Sequence, residues 1–148
     1  MENLEHVEVA IVGGGFAGSM VAASLLAHGR GPMRLALIER RMPPGRGVAH
    51  GTGAPSHLLN IPAGEMSAWP EDPGHFERWL AARGHTERYA SRGLYGAYVE
   101  EALKEAAAVA SEGRTLTLYE DEAIGCLPEG QGYRLRLRSG RILYARQV

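Results

Sequence analysis

A glycine-rich loop near the amino end has the spacing needed to hold an anion. Gly13-Gly14-Gly15-Phe16-Ala17-Gly18 matches the G-x-G-x-x-G pattern. In such a loop the first glycine permits a tight turn, the second lets a pyrophosphate approach the backbone, and the third allows close helix packing. Amide groups at the start of the following helix then face the anion. Every residue from Gly13 to Gly18 is therefore predicted to bind a dinucleotide.

An acidic residue follows the loop at the distance expected for a ribose ligand. Glu39 lies about 20 residues beyond Gly18, where a carboxylate can accept hydrogen bonds from adenosine ribose hydroxyls. A glutamate at a strand end is by itself more often a solvated surface group. Its spacing from the glycines favours a role in nucleotide binding.

A second glycine turn bears on which nucleotide binds. FAD and the nicotinamide cofactors share the ADP moiety, so the first loop alone does not distinguish them. The turn Gly45-Arg46-Gly47 carries a guanidinium that could reach the same pyrophosphate, which favours FAD, and we assign Arg40, Arg46 and Gly47 to the cofactor. Alternatively, Arg40 or Arg41 could bind the 2'-phosphate of NADP, and Arg41 could simply be solvated.

The elements that must position these residues are a strand, a helix and a second strand. Residues 7–12 form a β-branched run that stops at the glycines, residues 19–28 have helical composition, and residues 35–39 are apolar again. This order predicts a right-handed parallel crossover. The expected fold class is α/β, a Rossmann-like βαβ parallel sheet with crossover helices.

The rest of the chain contains a long excursion, two helices and a hairpin. Residues 40–71 are rich in glycine and proline without a sustained period. Asp72 is predicted to cap a helix that ends at Gly84, and a second helix covers residues 94–109. Beyond a strand at residues 116–119, alternation around Ser139-Gly140 predicts a β-hairpin or meander near the carboxyl end.

Several blocks of sequence resemble a bacterial family of FAD/NAD(P)-binding flavoproteins related to flavin-dependent hydroxylases and N-hydroxylating monooxygenases. The blocks Gly-Arg-Gly-Val-Ala and Leu-Leu-Asn-Ile-Pro-Ala are the most specific, and His50 stands where the family usually has tyrosine. The blocks cover residues 9–18, 37–40, 45–52, 57–63, 66–68, 72–76, 92 and 95–96.

The resemblance implies the FAD-binding portion of a flavin-dependent oxidoreductase, which in complete form is an NAD(P)H-dependent monooxygenase acting on a small molecule. We expect one domain over residues 1–148, with the excursion and helices at about 40–112. Because the family's members are longer, we expect a chain that ends before a second glycine motif and is inactive alone. The alternative is a non-catalytic FAD- or NAD(P)-binding module, or a subunit completed by another chain. No catalytic residue is assigned.

Two further residues are assigned to the cofactor. Asn60 lies among apolar residues, so its amide is expected to be buried and to find partners on the flavin ring edge, although a turn would also suit asparagine. Ala123, just past a predicted strand, could offer backbone hydrogen bonds to adenine. Cys126 is expected to be a small apolar packing residue.

The composition argues against other classes of function. The net charge is -1 with mixed signs, which argues against a nucleic acid partner. The one cysteine allows no internal disulfide, and the six histidines have no spacing typical of a metal site. No apolar run approaches the roughly 18 residues of a membrane span. A protein of the reducing cytoplasm, without membrane attachment, is expected.

Overall fold

The computed structural model describes residues 4–148 as a single mixed sheet flanked by helices. The β1-α1-β2 unit has the order that the sequence predicts, and α2 is a single turn inside the excursion. A 3-10 turn covers Ala63–Glu65. The elements are β1 Leu4–Val12, α1 Phe16–His28, β2 Met33–Glu39, α2 Gly47–His50, α3 His75–Ala81, α4 Arg92–Ala108, β3 Arg114–Glu120, β4 Ala123–Glu129, β5 Gly132–Leu137 and β6 Ile142–Gln147.

The sheet has the strand order β3-β2-β1-β6-β5-β4. Strand β1 pairs in parallel with both β2 and β6, and β2 pairs in parallel with β3. Strands β4, β5 and β6 form an antiparallel meander. The predicted fold class, a Rossmann-like parallel sheet with a crossover helix and a meander near the carboxyl end, is confirmed.

Strand β2 shows why this sheet needs cover on both faces. Leu35 and Leu37 belong to the core beneath α1 and α4, whereas Ala36 and Ile38 belong to a second core under the meander. All four are buried. A continuous apolar run of this kind is what a parallel strand with two buried faces requires.

The helix boundaries in the excursion differ from the predicted ones. Asp72 does not cap α3, because its carboxylate pairs with Arg78, and the helix begins at His75 after Gly74. Helix α4 begins earlier than expected, since the Ser91 hydroxyl accepts a hydrogen bond from the Leu94 amide at 3.2 Å. The cap assigned to Asp72 was therefore wrong, and an ion pair with Arg78 replaced it.

Strand β4 was not predicted, and it changes the environment of Cys126. The strand contains Gly125 and Pro128, which are unfavourable inside a sheet, but β4 is an edge strand where proline is tolerated. The prediction that Cys126 is a small apolar packing residue was wrong, since Cys126 is exposed. In the described part of the chain, no helix is long and apolar enough to cross a membrane.

Candidate functional site

The first glycine loop connects β1 directly to α1. Gly13 has a φ of 97°, a conformation that side chains disfavour, and its amide donates to the Ile38 carbonyl at 2.8 Å. A Cβ on Gly18 would lie 1.8 Å from the Gly13 carbonyl oxygen. The first and last glycines are therefore required by the backbone geometry, as the fingerprint predicts.

The backbone of Gly14 is held by hydrogen bonds at both its amide and its carbonyl. Its amide donates to Oε2 of Glu39 at 2.7 Å. Its carbonyl accepts from the Gly45 amide at 2.6 Å and from the hydroxyl of Ser19, which is fully buried, at 3.1 Å. These bonds fix the orientation of the loop and tie it to β2, to α1 and to the second glycine turn.

Glu39 therefore holds the first glycine loop in place without a ligand. Its second oxygen, Oε1, accepts from the Arg41 amide at 2.9 Å. A carboxylate oxygen can accept more than one hydrogen bond, so each oxygen retains capacity for a ribose hydroxyl. The side chain is only partly buried and lies at the carboxyl end of β2, beside the loop.

The amino end of α1 is open to an anion. Gly15 occupies the N-cap position without a side-chain hydrogen bond, and Phe16 and Ala17 are exposed. The first amides of a helix lack partners within the helix and carry the positive end of its dipole. This helix end can therefore accept a phosphate group.

The second glycine turn packs between this loop and α4. A Cβ on Gly47 would lie 2.9 Å from the Gly15 Cα, and a Cβ on Gly45 would lie 2.7 Å from the Glu100 amide nitrogen. Between them, Nη2 of Arg46 lies 3.4 Å from Oε2 of Glu100. The backbone of Gly47 therefore lies against the first loop, whereas the Arg46 guanidinium reaches Glu100 on α4.

A cleft of about 470 Å³ opens at the carboxyl ends of the parallel strands, between these segments and the start of the meander. Asp121 and Glu122 line it just before the first strand of the meander. The Arg138 hydrogen bond, and secondarily the charges of Arg138 and Arg40, lower the pKa of Glu122, so its carboxylate is ionised at neutral pH. Six predicted residues line the cleft together: Gly13, Glu39, Arg40, Arg46, Gly47 and Ala123.

Asn60 does not fit its predicted environment. The residue is exposed, so the expectation of a buried amide was wrong. Its segment is held by backbone bonds from the Leu59 amide to Ala90 at 2.9 Å and from the Ala63 amide to Arg88 at 2.8 Å. Asn60 is not among the residues that line the cleft.

His50, which replaces the family's usual tyrosine, packs beside the cleft. Its ring centroid lies 4.9 Å from that of Tyr95. Burial, and secondarily the positive charge of Arg92, lower the pKa of His50, so the ring is neutral at neutral pH. Its Nδ1 is buried without a hydrogen-bond partner in residues 4–148. An aromatic packing role is thus retained.

Sequence reasoning missed four residues around the cleft: Ser19, Glu100, Asp121 and Glu122. For Asp121 and Glu122 a signal existed, because acidic residues directly after a parallel strand fall at the edge where ligands bind. Ser19, inside a helix, and Glu100, more than fifty residues from Arg46, carried no local signal.

Known proteins resemble this chain in family and in fold. A family model described as FAD-NAD(P)-binding matches residues 10–148. No curated protein matches the sequence. Among solved structures, a flavin-containing monooxygenase from Stenotrophomonas maltophilia is 21% identical with a TM-score of 0.66, and the match covers 97% of this chain and 38% of that one.

Two further structures share the fold. A mutant cyclohexanone monooxygenase from Rhodococcus sp. Phi1 bound to NADP+ is 17% identical with a TM-score of 0.64, covering 96% of this chain and 25% of that one. Bacillithiol disulfide reductase from Staphylococcus aureus is 16% identical with a TM-score of 0.61, covering 96% and 36%. The chain therefore spans between 25% and 38% of the length of these three proteins.

Proposed function

The chain belongs to the FAD-NAD(P)-binding family, which confirms the resemblance seen in its sequence, and from this premise we propose that its cleft holds the ADP half of FAD. The whole protein is then a flavin-dependent oxidoreductase, specifically a monooxygenase that uses NAD(P)H. Solved structures with this fold include flavin-containing and cyclohexanone monooxygenases. The chain spans a minor part of their length, so the activity is a proposal about the whole protein.

The observation that carries the proposal is the contact between the two glycine turns, in which the Gly45 amide donates to the Gly14 carbonyl. The α1 amides with Gly15 would face the pyrophosphate, and Arg46 would approach it from the second turn. Glu39 would accept bonds from the ribose, with Arg40 and Ala123 at the adenosine end. For Asn60, a contact with the flavin stays a prediction, now through an exposed side chain.

The residues present fit a dinucleotide by charge and by shape. Three arginines line the cleft and the positive end of α1 lies beside it, which suits a pyrophosphate, whereas a carboxylate at the strand end suits hydroxyl groups. Bound FAD would supply the redox chemistry, accepting reducing equivalents from NAD(P)H and activating oxygen. The chain's own part is to bind and orient the cofactor, and we assign it no catalytic residue.

The visible absorption spectrum tests this proposal. Titrating the purified chain with FAD should perturb the flavin bands, and Glu39→Ala should weaken the binding. Glu101→Gln is a matched control, because Glu101 on α4 pairs with Arg83 and Trp79 away from the cleft. An unperturbed flavin spectrum with the unsubstituted chain would overturn the proposal, and tight binding of NAD(H) instead would favour a nicotinamide-binding module.

The same proposal extends to the domain organisation, the location in the cell and a partner chain. Residues 1–148 are one domain, supported by the sharing of one sheet between both cores, and a single cooperative unfolding transition would test this.

A cytoplasmic location is supported by the exposed thiol of Cys126, which persists in reducing compartments, and fractionation would test it. Where the chain alone shows no turnover, a second chain could supply the nicotinamide site, detectable as a co-purifying subunit.

A further inference from the structure

Two neighbouring glutamates on α4 have different surroundings. Glu101 accepts hydrogen bonds from the Trp79 indole at 2.9 Å and from Arg83 at 2.6 Å, on the side facing α3. Glu100 points the other way, toward the second glycine turn, and its side chain is only 15% exposed. An acid this buried requires partners.

The partners of Glu100 are two cations of unequal exposure. Its Oε1 accepts from Nζ of Lys104 at 2.7 Å, and its Oε2 lies 3.4 Å from Nη2 of Arg46. The Lys104 side chain is 70% exposed, whereas that of Arg46 is 37% exposed and lines the cleft. The carboxylate therefore joins a helix surface to the proposed cofactor site.

The backbone around Arg46 strengthens this link. A Cβ on Gly45 would collide with the Glu100 amide nitrogen, and a Cβ on Gly96 would lie 3.0 Å from the Arg46 Cγ. The arginine stem thus runs over Gly96 toward Glu100, one helical turn further along α4. Both ends of the side chain are held by one helix.

We propose that Glu100 is a positioning residue that orients the Arg46 guanidinium for the FAD pyrophosphate. The inference rests on the proposed function. A guanidinium has five N–H donors, so a single weak bond from Nη2 to Glu100 leaves most of them for phosphate oxygens. A long, flexible side chain that is already oriented loses less entropy when it binds a ligand.

An opposite effect of the same contact would be competition. If Glu100 held Arg46 away from the ligand, removing its charge would free the guanidinium and tighten FAD binding. The sign of the change in affinity therefore separates positioning from competition.

The experiment is a double-mutant cycle on FAD affinity, measured by quenching of flavin fluorescence. Glu100→Gln is expected to raise the Kd about five- to tenfold, since coupled charged pairs interact by an amount of that size. Arg46→Ala should raise it further. The Glu100→Gln and Arg46→Ala double variant should then bind like Arg46→Ala alone, because without Arg46 there is nothing for Glu100 to position.

Two controls are needed to interpret the measured Kd values. Glu101→Gln should leave the Kd unchanged, and thermal unfolding of every variant should show that binding was compared between folded proteins. Additive effects of Glu100→Gln and Arg46→Ala, an unchanged Kd in Glu100→Gln or tighter binding would each overturn the positioning role. Failure of the unsubstituted chain to bind FAD would instead overturn the proposed function, and this inference with it.

Discussion

The two glycine turns of the cleft are built in opposite ways. Residues 13–18 are fixed by the βαβ unit that contains them, through Ile38, Glu39 and Ser19, all within 26 residues of the loop. Residues 45–47 are held by that first loop on one side and by α4 on the other, where Glu100 lies 54 positions from Arg46.

This difference separates local from tertiary control of one binding site. The first turn forms wherever a strand, these glycines and a helix follow one another. The second turn instead depends on contact with α4, which packs against α1. We therefore expect changes in the first turn to reduce the stability of the fold most, and changes in the second to reduce stability somewhat less and to weaken binding as well.

The largest effect is expected from Gly18→Ala. The added Cβ would lie 1.8 Å from the Gly13 carbonyl oxygen, so α1 would have to move away from β1. Unfolding free energy, measured with urea, should fall by roughly 3 kcal/mol or more. Gly53→Ala is the control, since nothing lies within 4 Å of its Cβ position. If the two variants were equally stable, the close packing at Gly18 would not be needed for the fold.

The second turn should respond to Gly45→Ala with a somewhat smaller effect. Gly45 has a φ of 109°, and a Cβ would meet the backbone of Glu100 at 2.7 Å. Strain and collision together should cost about 2 to 3 kcal/mol of stability and weaken FAD binding.

The control for Gly45→Ala isolates strain from collision. Gly31 also has a positive φ, 71°, but open space around its Cβ position, so Gly31→Ala should cost only about 1 kcal/mol and leave FAD binding unchanged. If both substitutions had the same effect on stability and binding, contact with α4 would not hold the second turn.

Glu39 bonds the first turn at the Gly14 amide and also accepts from the Arg41 amide, and Glu39→Ala should affect binding more than folding. Loss of charge-assisted bonds to the ribose should reduce FAD affinity by about 2 kcal/mol, or roughly thirtyfold. Isothermal titration measures this directly. Glu39→Gln should retain part of the affinity, because an amide oxygen still accepts from the Gly14 amide. Full affinity in Glu39→Ala would contradict the assignment.

The smallest effect is expected away from both turns, at the pair of Glu8 and Arg34 that joins β1 to β2. Hydrogen bonds from Arg34 lower the pKa of Glu8 from 4.5 to about 2. Because the folded-state pKa is the lower one, the pair stabilises the fold above pH 4.5 and loses this contribution as the pH falls toward 2.

Glu8→Gln tests this pH dependence. Since Arg34 is largely exposed, we expect the substitution to cost only about 1 kcal/mol at pH 7. Urea unfolding of both proteins at several pH values should show their difference shrinking below pH 4.5. A difference that did not change with pH would show that the pair contributes no electrostatic stability.

Much of the parallel part of the fold could be predicted from local pattern. The apolar runs of β1 and β2, the glycine loop between them and the helical composition of α1 were read correctly because each is decided by near neighbours. The errors fall where partners are distant. Asp72 paired with Arg78 instead of capping α3, and β4 was hidden by Gly125 and Pro128 at a sheet edge.

The site divides in the same way. The fingerprint from Gly13 to Gly18 predicted the turn, and Glu39 was found at the expected edge of the sheet. Asn60 was misjudged, because apolar neighbours in sequence do not ensure burial when the chain runs along the surface. Nothing near Arg46 in sequence pointed to Glu100.

By itself, the sequence determined the strand-loop-helix-strand unit, the spacing of its glycines and the acid at the end of β2. These features depend on backbone sterics and hydrophobic periodicity within about 30 residues. Only the tertiary structure decided that Asp121 and Glu122 line the same cleft as Arg40 and that Glu100 meets Arg46. Those contacts form where the sheet and α4 bring distant segments together. Packing between distant segments produces no periodic pattern in the sequence from which it could be predicted.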